Sequence, residues 1–85
     1  MQVSFHRDFK KSFKKLPIKV KTKFAKRLEL LLEDADHPLL RVHTLKGGKY
    51  PLESMNVTAD YRALFLRSKI KVTFYEIGSH SELYE

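Results

Sequence analysis

Apolar residues recur at helical spacing in the first third of the chain. Phe9, Phe13 and Leu16 lie at i, i+4 and i+7 with lysines between them, which predicts an amphipathic helix. Pro17 ends this helix or opens the next, because proline is tolerated in a first helical turn but not in a helix interior. A second helix is predicted to run to about Glu33, and its apolar face is formed by Val20, Phe24, Leu28 and Leu31.

The second half of the chain changes to the aromatic and β-branched content that is typical of strands. The runs 61–67 and 70–77 are separated only by Ser68 and Lys69, which predicts a tight hairpin. Further strands are predicted at 3–5, within 39–45, and at 52–57. The order β-α-α-β-β-β predicts an α+β fold, in which two N-terminal helices pack on one face of a small, mainly antiparallel sheet. The 85 residues suffice for a single domain, residues 1–85.

The charge of the chain favours a polyanionic partner. Seventeen Lys and Arg residues against ten Asp and Glu give a net charge of +7, which suits either a nucleic acid or an acidic protein segment. A solvated helical face explains many such lysines, but their density exceeds what solubility needs, so a role against phosphate stays open. The candidates for contact with RNA or the ribosome are Lys10, Lys11, Lys14, Lys15 and Lys46.

The chain lacks the residues that several other kinds of site require. The chain has no cysteine, and its four histidines lack the close spacing of a zinc site, so we expect no metal and no cofactor. A nucleophilic cysteine and a Gly-x-Ser-x-Gly element are also missing. No signal peptide or membrane-spanning stretch is visible, so we expect a cytoplasmic protein without a membrane partner.

Two histidines follow predicted strands. His80 comes just after Gly78, at the end of the last strand, where an imidazole near neutrality can give or take a proton. A polar residue in an exposed tail is the plain alternative. His43 lies at a junction of strand and loop, where position alone favours a plain surface loop histidine. For His80, position alone does not choose between the two alternatives.

Three further residues are candidates for a site at the same end of the sheet. Arg62 opens an otherwise apolar run, so its guanidinium either reaches the surface or faces a polar cleft. Asp60 is a candidate base, but a turn residue that bonds its own backbone explains it as well. Tyr84 either contributes to the site or anchors the end of the chain to the sheet.

Together these residues form a pattern that resembles the RelE/ParE superfamily of bacterial toxins, and most of all the YafQ-like branch of the RelE-type mRNA interferases. The pattern consists of His43-x-Leu45-x-Gly47, Asp60-Tyr61-Arg62 and Gly78-Ser79-His80-x-x-Leu83-Tyr84 behind a basic helical pair. The resemblance implies the toxin of a type II toxin–antitoxin pair. Such a toxin is an endoribonuclease that cuts mRNA in the ribosomal A site without a metal, and an acidic antitoxin protein binds it.

The resemblance also implies roles for single residues. The working residues of the branch match His43, Asp60, His80 and, with an aromatic exchange, Tyr84, while Arg62 matches an arginine common among RelE-type toxins. We assign His80 as general acid, Arg62 as the cation for the phosphorane charge, and either His43 or Asp60 as base. Tyr84 would stack on or orient a base of the RNA.

The chain departs from the family pattern on one strand. Asn56 stands where the YafQ-like branch usually has a further histidine, and Glu53 and Met55 stand where RelE has lysines. Part of the family's set of catalytic groups is thus missing. Two other functions are alternatives. The first is a ParE-like toxin that inhibits DNA gyrase without cutting RNA, and the second is a non-catalytic protein that binds an acidic partner.

Overall fold

The computed structural model describes residues 1–84. Within them, the predicted order β-α-α-β-β-β is extended by one further strand, by a short 3-10 helix at Gly47–Lys49 and by a third α-helix at the end. The two N-terminal helices are amphipathic and bury Phe9, Val20, Phe24 and Leu31 against the sheet. His6 caps the first helix, since its Nδ1 accepts a hydrogen bond from the Asp8 amide at 3.1 Å. The elements are β1 Gln2–Phe5, α1 Arg7–Lys14, α2 Ile18–Glu33, β2 His43–Thr44, β3 Glu53–Asn56, β4 Tyr61–Arg67, β5 Lys71–Ser79 and α3 His80–Tyr84.

The five strands within residues 1–84 form one sheet in the order β1-β5-β4-β3-β2. Among the strand pairs of this described part, only β1 and β5 run parallel, and the other three pairs are antiparallel, so the predicted α+β fold with a mainly antiparallel sheet is confirmed. The parallel pair is made possible by α1 and α2, which carry the chain back across the sheet between β1 and the later strands. No helix among residues 1–84 is long and apolar enough to cross a membrane.

The main core lies between the helices and one face of the sheet. Phe24 and Phe74 meet edge to face with ring centroids 5.1 Å apart, and Phe9 lies 5.6 Å from Phe74. Phe65 and Met55 complete this layer and are fully buried. A second, smaller cluster of Leu45, Leu64 and Leu83 covers part of the opposite face. Because this second cluster is small, much of that face stays open.

Three local details differ from the sequence prediction. The hairpin turn comprises residues 68–70, one more than predicted, and it is closed by the Ser68 amide, which donates to the Lys71 carbonyl at 2.8 Å. The predicted strand within 39–45 shrinks to β2, since the Leu40 amide bonds the His37 carbonyl in a turn at 3.1 Å. The last strand was predicted to end at 77, but it continues to Ser79.

Residues 80–84 form α3, where the sequence prediction had only a tail. The sequence Ser79-His80-Ser81-Glu82 is a capping box: the Glu82 amide donates to Ser79 Oγ at 3.2 Å, and the Ser79 amide donates to Glu82 Oε1 at 2.7 Å. Gly78 allows α3 to lie against β5, because a Cβ at this position would lie 3.2 Å from Glu82 Oε1. Gly78 therefore provides space for α3 and does not end the strand as predicted.

Candidate active site

The face of the sheet that the helices leave open carries most of the predicted site. Register places residues from neighbouring strands side by side on this face, Asn56 beside Arg62 and Arg62 beside Gly78. Ser54 precedes Asn56 by two residues on β3, and His43 of β2 lies beside it. A cleft of about 340 Å³ opens here, and its lining consists of Arg41, His43, Leu45, Asn56, Arg62, His80 and Tyr84.

Arg62 is held at the head of the cleft by one end of its guanidinium group. Its Nη1 donates to the carbonyl oxygens of Thr58 and Ala59 at 3.0 and 3.1 Å and of Tyr61 at 3.0 Å. The turn that supplies these carbonyls is itself closed by the Thr58 hydroxyl, which accepts from the Tyr61 amide at 3.0 Å. Because Nη1 is held by the carbonyls of the turn, the orientation of the guanidinium plane is fixed. The opposite edge, formed by Nε and Nη2, can then bind an anion through two parallel hydrogen bonds.

His43 is oriented by the chain just before it. Its Nδ1 lies 2.9 Å from the Arg41 carbonyl oxygen, which can only accept a hydrogen bond, so Nδ1 carries a proton. In the neutral ring Nε2 then keeps its lone pair. Arg41 itself has a φ of 48°, a left-handed conformation that is uncommon for a residue with a side chain. Such strain recurs at functional sites, where the surrounding structure maintains it.

His80 begins α3 and is tied to the sheet by its backbone, since its amide donates to the Asp60 carbonyl at 2.9 Å. Its ring lies 4.6 Å from the ring of Tyr84, one helical turn later, at an angle of 54°. The Tyr84 hydroxyl in turn donates to Ser54 Oγ at 2.9 Å. Helix α3 is therefore joined to the sheet at both of its ends.

Glu82 belongs to the same short helix and is the residue whose charge the fold perturbs most clearly. The Ser79 backbone amide, and next the Ser79 hydroxyl, lower the pKa of the Glu82 carboxyl below its ordinary value. A carboxylate in the first turn also interacts favourably with the helix dipole. The ionised form of Glu82 thus stabilises the helix that carries His80.

Four of the five predicted catalytic residues line the cleft: His43, Arg62, His80 and Tyr84. Asp60 is outside the lining, and its side chain is exposed in the turn before β4. The backbone amide of Asp60 donates a hydrogen bond to the Thr58 hydroxyl at 3.2 Å. Asp60 contacts the site through its backbone, by accepting the hydrogen bond from His80.

The predicted RNA-binding lysines divide into two groups. Lys46 follows Leu45, a residue of the cleft, and is exposed. The other four lie on the exposed side of α1 or just after it, and α1 packs on β5 on the side of the main core. These four are Lys10, Lys11, Lys14 and Lys15. They form a basic surface distinct from the cleft.

Two polar residues of the cleft were not predicted as site residues, Arg41 and Asn56. Arg41, His43 and Leu45 are spaced two apart, and this alternation is the signal that could have shown that Arg41 shares a face with His43. In the sequence, Asn56 stands out only as a replacement for a histidine of the YafQ-like branch. Its place beside Arg62 follows from the pairing of β3 with β4. Among residues 1–84 no three His, Asp or Glu side chains lie close enough together to hold a metal ion.

The fold is shared with solved bacterial toxins, among them YafQ, which confirms the RelE-like fold predicted from the sequence. YafQ from Escherichia coli superposes with a TM-score of 0.83 at 16% identity, over 99% of this chain and 98% of YafQ. The E. coli DinJ-YafQ toxin-antitoxin complex gives 0.81 at 17% identity, over 99% of this chain and 97% of the other. A YoeB/ParE toxin from Agrobacterium tumefaciens gives 0.76 at 14% identity, over 94% and 99%. No protein-family model and no curated protein sequence matches the chain.

Proposed function

We propose that this protein is the toxin of a type II toxin–antitoxin pair, and that it cleaves mRNA in the ribosomal A site as a metal-independent endoribonuclease. The observation that carries the proposal is the cleft itself, where two imidazoles and two guanidinium groups lie together on the open face of the sheet. Attack by a ribose 2′-hydroxyl on the adjacent phosphate needs a base, a cation and an acid. The cleft offers each of these.

His43 is the base in this proposal. The hydrogen bond from Nδ1 to the Arg41 carbonyl leaves Nε2 as the basic nitrogen of the neutral ring. Nε2 takes the proton of the 2′-hydroxyl while the 2′-oxygen forms its bond to phosphorus. Asp60 was the alternative base, but its carboxylate does not line the cleft, so the geometry favours His43.

Arg62 stabilises the charge that develops on the phosphorane oxygens. Because Nη1 is held by three carbonyls, the rest of the guanidinium group is preorganised and needs little rearrangement during the reaction. Arg41 lies at the same cleft and adds a second positive charge against the phosphate. Asn56, beside Arg62, offers an amide that can donate to a phosphate or ribose oxygen.

His80 is the acid. As an imidazolium it gives its proton to the leaving 5′-oxygen when the bond from phosphorus to that oxygen breaks. The products are a 2′,3′-cyclic phosphate and a 5′-hydroxyl end, so the reaction consumes no water. The Tyr84 ring lies beside His80 and lines the cleft, where it can also stack on a base of the RNA.

The proposed partners are polyanions, as the net charge of +7 favours. The mRNA enters the cleft, ribosomal RNA meets the basic surface of α1, and Lys46 extends the contact with RNA from the cleft. An acidic antitoxin protein binds the toxin and competes for these charges. The DinJ-YafQ complex, on the same fold, shows YafQ bound to an antitoxin. The proposed place of action is the cytoplasm, where mRNA is translated.

The proposal is tested by adding the protein to a translation reaction and mapping the 5′ ends of the mRNA. We expect new 5′ ends in wild type and a loss of about 10²–10⁴-fold in cleavage rate for His80→Ala, the usual effect of removing a general acid. The matched control is His37→Ala, a histidine in the loop after α2 and outside the cleft. It should cleave like wild type.

Two results would contradict the proposal in different ways. Cleavage by His80→Ala at the wild-type rate would remove His80 from the mechanism. Growth arrest in cells without any cleavage of mRNA would refute the nuclease. It would favour a ParE-like toxin that inhibits gyrase by binding, and inhibition of purified gyrase would then identify it.

A further inference from the structure

We infer that buried Ser54 positions the general acid His80 through the hydroxyl of Tyr84. This relay makes Tyr84 and Ser54 positioning residues, and it assigns Ser54 a role in the site although it does not line the cleft. The inference rests on the proposed function for its effect on rate. The arrangement of the three side chains is open to a separate test on the free protein.

Ser54 is an unusual residue for the middle of a strand. Ser54 is 0% exposed, and among residues 1–84 it is the buried polar residue. A buried hydroxyl without a partner is costly, so its hydrogen bond is a requirement of the fold at this position. That partner is the Tyr84 hydroxyl at 2.9 Å, thirty positions later in the chain.

Tyr84 connects this buried point to His80. The two rings lie 4.6 Å apart on successive turns of α3, close enough for contact along one side of the imidazole. A helix of five residues is too short to be stable by itself, so contacts at its ends must hold it. The capping box holds the first end, and the hydrogen bond from Tyr84 to Ser54 holds the last.

The consequence is a geometric restraint on the imidazole. Because the Tyr84 ring lies 4.6 Å from the His80 ring, it limits the rotation of the imidazole on that side. The hydroxyl keeps the ring in that place, since Ser54 lies in β3 and is fixed by pairing on both sides. Without the hydroxyl, the ring gains freedom, and His80 spends less time in the orientation that protonates the leaving oxygen.

The first test removes the hydrogen bond with little change in shape. Tyr84→Phe should lower kcat about fivefold, the effect of one neutral hydrogen bond, with KM nearly unchanged because RNA binding is not altered. Ser54→Ala should cause a similar loss. The double variant should lose little more than either single variant, since the two side chains act as one unit. The matched control is Tyr50→Phe, which removes the hydroxyl of an exposed tyrosine.

The second test separates positioning from simple support of the helix. In a His80→Ala background, Tyr84→Phe should no longer change the single-turnover rate, because the group that it positions is gone. A fivefold loss that persists in this background would overturn the inference, since the hydroxyl would then act on something other than His80. Full activity of Tyr84→Phe in the wild-type background would overturn it as well.

The third test does not depend on nuclease activity. In the free protein, Tyr84→Phe should shift the NMR resonances of the His80 ring and weaken its contacts with residue 84, while the ring of His37, outside the cleft, stays unchanged. An unmoved His80 resonance would refute the positioning. Shifted resonances in a protein whose wild type cuts no mRNA would support the positioning and refute the nuclease, so failure of one is distinguishable from failure of the other.

Discussion

Replacing Arg62 by lysine separates the geometry of the guanidinium group from its charge. In the native protein Nη1 bonds three carbonyl oxygens of the turn before β4, and the Nε–Nη2 edge is left to bind the phosphate. Lysine has a single ammonium nitrogen, whose N–H groups diverge from one point and form no planar fork. It therefore cannot keep the contacts with the carbonyls and a bidentate contact with the phosphate together.

The expected loss follows from the hydrogen bonds involved. A hydrogen bond to a charged group contributes about 1.5–3 kcal/mol. Because about 1.4 kcal/mol corresponds to a factor of ten in rate, losing one such bond in the transition state should lower the rate roughly 10- to 150-fold. The net charge is unchanged, so we expect ribosome association to be nearly unaltered.

The assay is single-turnover cleavage of mRNA on programmed ribosomes, with ribosome affinity measured in parallel. The matched control is Arg67→Lys, which also breaks a bidentate contact, here with Glu53 at 2.8 and 3.0 Å, but outside the cleft. Arg67→Lys should cleave at the wild-type rate. Cleavage by Arg62→Lys at the wild-type rate would refute the role of the guanidinium geometry. An equal loss of cleavage rate in both variants would mean that the substitutions disturb the fold, so the loss could not be assigned to the phosphate contact.

Two further predictions concern the surface and the last helix. Changing the lysines of the basic surface to glutamine should weaken ribosome binding and flatten its dependence on salt, because fewer counterions are released; these are Lys10, Lys11, Lys14 and Lys15. Glu82→Gln should lower the Tm at pH 7, and the gap to wild type should close in acid. The pKa of Glu82 is lowered in the folded protein, so its stabilising effect is present above the unfolded pKa and is lost as pH falls through the folded value.

Each of these predictions has a matched control. For the basic surface the control variant replaces Lys69 and Lys71 at the hairpin turn, and the change in salt slope is compared per lysine. If ribosome affinity depended on salt with the same slope in wild type and in the α1 variant, those lysines would not contact RNA and would only be solvated. For the last helix the control is Glu29→Gln, on the exposed side of α2. A Tm gap for Glu82→Gln that stays constant from pH 7 into acid would contradict the capping role of its charge.

The sequence by itself determined the two N-terminal helices and the approximate places of the strands, and for β4 the bounds as well. The spacing of Phe9, Phe13 and Phe24 requires helices that bury one face, and the run 61–67 matches β4 at both ends, because these periods depend only on local backbone geometry. The positions of His43 and His80 at strand ends were predictable for the same reason. Helix α3 was missed by the prediction, although the four consecutive residues 79–82 form a capping-box sequence that could have indicated it.

The tertiary structure decided which of these residues meet. Arg41 and Asn56 join the cleft through strand register and a left-handed backbone, neither of which leaves a local signal strong enough to identify the site. Asp60 is adjacent to Arg62 in sequence, yet its carboxylate lies outside the lining because the turn directs it to solvent. The bond between Ser54 and Tyr84 spans thirty residues. Contacts at such separation depend on how the strands pair and not on local periodicity, so only the folded chain shows them.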